Sequence, residues 1–241
     1  MHVARLPVTT ISNDAASYRQ FGVEPMTAAA QLLRHSHPNA VVWAGTAGSW
    51  MGIDTDLALS DALSHASQAT ATTSTLALLA ACEALGAHNV ALATPYTDAI
   101  VARIRDNYTD YGLTVVTESH LNMSDNWSFA RVEDREVRSL VERAATTGVD
   151  AVLVVCTNLP ATHSVAALEA HTGVPVIDSI AATVWYASGL AGSPLKLTGR
   201  GKLLSLDVPP RFTRRYCSPP LWSDDRSISL VPHLSKGVVR E

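Results

Sequence analysis

The chain has 241 residues, 47% of them hydrophobic, with a net charge of -4 and three cysteines. That is enough apolar material for one large α/β unit or two small lobes. The lack of any basic run argues against nucleic acid or an anionic membrane as a partner. No apolar stretch reaches membrane-spanning length, the start MHVARLPVTTIS has no apolar h-region, and Cys82, Cys156 and Cys217 are too far apart for a disulfide framework or a metal cluster. A reduced cytoplasmic protein is expected.

Val3–Ile11 reads as a polar strand closed by Ser12-Asn13-Asp14. Met26–Arg34 has a helical pattern that stops near Pro38, and Asn39–Ala44 is an apolar strand ending in Gly45-Thr46-Ala47-Gly48-Ser49. Two helices are expected next, over Asp54–Ala66 and Thr72–Ala87, the second with Ser and Thr at its start and Gly86 near its end. Cys82 lies inside that helix as a packing residue.

Strands and helices then alternate. Strands are expected at Asn89–Thr94, Leu113–Thr117, Ala151–Val155 and Val174–Ile177. Helices are expected at Thr97–Tyr108, Val132–Thr147, Ala161–His171 and Ser179–Leu190. Such alternation predicts parallel βαβ units. Glu118–Arg131, with Asn122, Asp125, Asn126 and Trp127, reads as a long loop of the kind that folds over a site. From about Pro209 the chain turns Pro-, Arg- and Ser-rich, with six Arg/Lys against three acids, and reads as a poorly ordered tail in which Cys217 is incidental.

The stretch Asp150–Pro160, DAVLVVCTNLP, is the most informative. Its apolar run is that of a strand buried on both faces, and Cys156 stands at the C-terminal end, where open parallel sheets bind ligands. Amide donors and a helix start beside a thiol lower its pKa, so an accessible thiolate is one expectation. A buried, inert cysteine is the other. Asn39–Thr46 echoes Asp150–Thr157 position for position, so two equivalent strand ends could face each other, with Gly45 where a second cysteine would mirror Cys156. None of the nine histidines has convincing metal-ligand spacing.

VALATPY (Val90–Tyr96), VVCTNLP (Val154–Pro160) and GVPVIDS (Gly173–Ser179) resemble the Asp/Glu racemase superfamily, nearest to its maleate cis-trans isomerases and arylmalonate decarboxylases, over roughly residues 3–206. The resemblance implies an α/β fold of two pseudo-symmetric Rossmann-like lobes with parallel sheets and the active site in the cleft between them. Residues 1–88 would form the first lobe, completed by 179–208, and residues 89–178 the second. Family members begin with an additional apolar strand, whereas Met1 here falls just before what resembles the second strand, so a first lobe lacking that strand is expected.

The implied chemistry is cofactor-independent, with a small mono- or dicarboxylate as substrate in a monomer or homodimer. Cys156 matches the second-lobe proton donor and Tyr96 a tyrosine that donates to a substrate carboxylate. Asn126 resembles a carboxylate-binding asparagine of the isomerases. Gly45 falls where racemases and isomerases carry their first-lobe cysteine, and arylmalonate decarboxylases have Gly-Thr-Ser there. Thr46 keeps the hydroxyl of that triplet, Ala47 lacks one, and Ser49 is the nearby substitute. Ser74, Thr75 and the backbone around Thr157 are further candidates for holding an enediolate. Gly45 favours decarboxylation of a substituted malonate, and Asn126 pulls toward maleate isomerisation. A binding protein for small carboxylates that has lost turnover is a third reading.

Overall fold

The computed structural model describes residues 1–209, so the expected tail and Cys217 lie outside the described residues. The chain opens with an extended segment and two helices, α1 (Ala15–Arg19) and α2 (Val23–Arg34). Asp14 caps α1, its Oδ1 accepting the N–H groups of Ala16 and Ser17, both at 2.8 Å. Strand β1 (Ala40–Trp43) leads through Gly45 into a single turn, α3 (Gly48–Met51), and then α4 (Ile53–Ser67). Strand β2 (Thr70–Thr73) lies parallel to β1, Ala40 opposite Thr70 and Trp43 opposite Thr73. Helix α5 (Ser74–Leu85) follows at once, capped by Thr73 and closed by Gly86 in the left-handed region at φ 64°.

A second, four-stranded parallel sheet has the order β4-β3-β5-β6, from β3 (Asn89–Thr94), β4 (Thr114–His120), β5 (Ala151–Val154) and β6 (Val176–Asp178). The crossovers are α6 (Asp98–Thr109), the short α7 (Asn126–Phe129) with α8 (Asp134–Ala144), and α9 (Val165–Thr172). Every residue of β5 is buried, as its unbroken apolar run requires between two helical layers. Helix α10 (Ser179–Leu190), capped by Asp178, packs against α5 and β1.

Three expectations are corrected. Val3–Ile11 is not a strand of either sheet. It is extended and joined to the start of α7 through an antiparallel bridge from Thr10 to Asp125 and bonds from Ile11 N–H to Ser124 O and from Asn126 N–H to Thr9 O, each 2.8 Å. Ser17 and Gln20 hold it from the other side of the turn. The helix expected from Thr72 starts at Ser74 because Thr70–Thr73, rich in β-branched threonine, belongs to β2. The segment expected as a loop from Glu118 still belongs to β4 as far as His120, and α7 forms within the remainder.

Candidate active site

Two strand ends meet. Thr157, just beyond β5, donates its hydroxyl to the carbonyl of Ala44, just beyond β1, at 3.2 Å. The internal echo of the sequence therefore corresponds to two equivalent strand ends facing each other. Cys156 sits at that junction, 2% exposed. Its backbone N–H donates to Ser179 Oγ at 3.1 Å, and Ser179 in turn donates to the carbonyl of Val154. The hydroxyl of Thr94, at the end of β3, donates to the carbonyl of Val155 at 2.9 Å. The backbone around the sulfur is thus fixed from two neighbouring strand ends.

Of the two expectations for Cys156, this environment favours the buried, protonated thiol over the thiolate. Burial pushes the Cys156 thiol up to about 11, against the opposing pull of the Tyr96 hydroxyl and the N–H groups of Asn158 and Leu159, while nearby Asp178 adds to the rise. The side chain is a neutral S–H at physiological pH, able to give a proton. The same donors that oppose the rise would hold the anion left after it does so.

Tyr96, buried after β3, is the hydroxyl next to that sulfur. Its oxygen lies 3.2 Å from Thr46 Oγ1, so Thr46, Tyr96 and Cys156 form one connected group across the junction. Burial drives the tyrosine pKa well above the ordinary value, which keeps the phenol a donor. The edge of Phe129 meets the Tyr96 ring, with centroids 5.5 Å apart, and fixes its plane.

The other candidates are engaged elsewhere. Ser49 Oγ lies 2.9 Å from the Tyr108 hydroxyl and donates to Thr75 Oγ1 at 3.4 Å, in a buried cluster that also contains Asp56. Ser74 accepts from Thr183 at 2.7 Å. The Asn126 amide donates to the Val8 carbonyl at 2.9 Å, while its backbone carbonyl accepts from Asn158 Nδ2 at 2.6 Å. Asn126 thereby fastens the N-terminal segment to the loop carrying α7.

Gly45 is packed against its own strand. Its N–H donates to the Trp43 carbonyl at 2.9 Å, folding the chain back. A Cβ at this position would fall 2.6 Å from Cε2 and Cζ2 of the Trp43 indole and 2.8 Å from Nε1. Sequence reasoning missed Trp43, Asp56 and Ser179. Their roles depend on where the chain folds back after each strand, which no periodicity reports. Among the described residues no group of three or more His, Cys, Asp or Glu is placed to hold a metal ion, and no helix is long and apolar enough to cross a membrane.

The sequence profile described as Arylmalonate decarboxylase matches residues 4–204. The chain belongs to the arylmalonate decarboxylase family. An arylmalonate decarboxylase from Bordetella bronchiseptica is 30% identical over 185 residues, covering 75% of this chain and 77% of that enzyme. A maleate isomerase from Nocardia farcinica is 27% identical over 142 residues, covering 58% of this chain and 57% of that one. Among solved structures, a liganded glycine-to-cysteine, cysteine-to-serine double mutant of arylmalonate decarboxylase superposes with a TM-score of 0.75 at 27% identity, covering 82% of this chain and 85% of that one. The fold is thus the Asp/Glu racemase-like α/β fold of these enzymes.

Proposed function

We propose that the protein is a cofactor-independent decarboxylase of substituted malonates. The observation that carries this reading is a single neutral thiol, Cys156, beside the Tyr96–Thr46 hydroxyl pair, with no side chain at Gly45 to act from the other strand end. A malonate bound at the junction would lose one carboxyl group as CO₂, the electrons of the broken C–C bond passing into an enediolate. The hydroxyls of Tyr96 and Thr46 would hold its oxygens, with Thr157 and the neighbouring backbone amides as further contacts. The Cys156 S–H would then protonate the α-carbon from one side, giving one enantiomer, and the resulting thiolate would be reprotonated from solvent. In the same reading residues 1–88 with 179–208 form one lobe and 89–178 the other, the protein works in the cytoplasm, and it does so as a monomer or homodimer.

The likeness to a maleate isomerase gives a second reading, cis-trans isomerisation of a small dicarboxylate. One experiment separates the two. Proton NMR in D₂O with phenylmalonate, and separately with maleate, is run beside a Cys156→Ala control. Singly deuterated phenylacetate that depends on Cys156 is the expected result. Fumarate from maleate would replace the decarboxylase by the isomerase. Binding of either acid without turnover would leave a carboxylate-binding protein.

A further inference from the structure

Among the described residues four buried side-chain polar atoms lack a hydrogen-bond partner: Trp43 Nε1, Trp50 Nε1, His120 Nδ1 and Asp178 Oδ1. Three of them belong to side chains with another evident task. Trp50 is fully buried, with Tyr18 and Phe21 packed edge-on at centroid distances of 5.1 and 5.3 Å. His120 is tied to Asp98 through its other nitrogen, at 2.6 Å. Asp178 uses Oδ2 to cap α10 and to accept from Thr162 at 2.6 Å. Trp43 differs. It ends β1, its indole lies over Gly45, and its nitrogen edge is within 2.8 Å of where a Cβ at position 45 would stand. Burying an indole N–H without an acceptor is costly, so such a group is a candidate for completion by a ligand.

Resting on the reading of the junction as a carboxylate site, we propose that Trp43 is its specificity-determining residue: the indole fills the volume that a side chain at position 45 would occupy, and its N–H donates to a substrate carboxylate oxygen. The first half of this role is steric. At 2.6 Å from two ring atoms, even a methyl group at position 45 forces the indole aside, and a thiol reaches further still. Phe21 packs edge-on against the same indole, 6.4 Å away between centroids and at 70° to it. The single-thiol character of the site is therefore built into β1 and does not depend on residue 45 alone. The second half is polar. A planar indole at the end of β1 offers one unpartnered N–H in one direction, on the strand end whose next carbonyl, that of Ala44, meets Thr157, and a carboxylate accepts from several donors at once.

The steric half is tested by thermal unfolding of four proteins: the wild type, Gly45→Ala, Trp43→Leu and the double variant. Gly45→Ala should lower Tm by roughly 5 °C in the Trp43 background, a typical overpacking cost for a chain of this size. In the Trp43→Leu background the same change should cost nothing. Equal losses in both backgrounds would overturn the steric role. The polar half is tested in the Cys156→Ala protein, so that phenylmalonate is not consumed during titration. In the uniformly 15N-labelled protein, the Trp43 indole N–H signal is assigned by its absence in Trp43→Phe and followed against phenylmalonate. A downfield shift that saturates together with the backbone amides near Tyr96 is expected, with about tenfold weaker binding in Trp43→Phe. Saturating shifts at those amides with the Trp43 signal unmoved would overturn the donor role and leave the carboxylate site standing. No saturable shift anywhere would remove the carboxylate reading, and the donor role with it.

Discussion

The Asp56 carboxylate lies so close over Gly48 that a Cβ at position 48 would fall 2.1 Å from its Cγ. The same carboxylate accepts from Thr73 at 2.5 Å and is held by the Thr75 hydroxyl as well. Burial nevertheless dominates and raises its pKa to about 6. With the folded pKa above the unfolded one, the neutral acid is favoured in the native state. The stabilisation is complete below about pH 4 and is lost as pH rises through about 6. Asp56→Asn abolishes the titration while keeping an acceptor for Thr73. Urea unfolding should show the variant gaining on the wild type by on the order of 3 kcal/mol between pH 4 and pH 8. A gap between the two proteins that does not change with pH would remove the assignment.

Gly48 is held to glycine by that contact and not by its backbone. Gly48→Ala should cost about 1–3 kcal/mol, because Asp56 is buried and has nowhere to retreat. In an Asp56→Ser background the loss should shrink to a few tenths, since the colliding atoms are gone. A loss of the same size in both backgrounds, measured by urea unfolding, would mean that another contact is responsible.

How far these relationships could be read in advance depends on their range along the chain. The buried strand before Cys156 and the alternation from Asn89 to Leu190 are carried by local periodicity, so they were legible, as was the pairing of two strand ends through their shared pattern. Thr70–Thr73 was not, because four residues of Thr and Ala satisfy a helix start as well as a strand. Asp54 and Asp56 are equivalent in sequence, both suited to a helix first turn. Only tertiary packing, which buries Asp56 against Gly48, tells them apart. The ionisation of Cys156 stayed open between a thiolate and a buried thiol for a related reason. Its position at a strand end was evident, but the depth of burial that outweighs the local donors was not.

That burial keeps the thiol protonated, and its titration is measurable. Difference absorbance at 240 nm between the wild type and Cys156→Ala isolates this thiolate from that of Cys82, which burial raises to about 12. The midpoint should lie near 11, so that about 1% of the thiol is ionised at pH 9. Tyr96→Phe removes a hydroxyl that favours the anion, so the midpoint should move further up. It should also abolish most turnover, because Thr46 loses its partner at the same time. A midpoint below about 7 in the wild type would contradict a neutral acid and favour the accessible thiolate instead.

Asn126 links the loop carrying α7 to the N-terminal segment through the Val8 carbonyl, and its own carbonyl receives the amide of Asn158, two residues beyond Cys156. Removing its side chain takes the donor from Val8 and leaves the backbone carbonyl that accepts from Asn158 in place. Asn126→Ala leaves the Val8 carbonyl without its donor, although the backbone bond from residue 126 to Thr9 persists. The segment around residues 8–12 should open more often, since the bonds that remain, from Thr9 to Gln20, from Ser17 and Gln20 to the Thr10 carbonyl and from Ile11 to Ser124, are partly exposed. Limited trypsin digestion, cutting after Arg5 or Arg19, should proceed several-fold faster in the variant. If instead Asn126 contacts a bound carboxylate, phenylmalonate affinity will fall while the cleavage rate stays at the wild-type value, because the amide would then serve the substrate and not the segment.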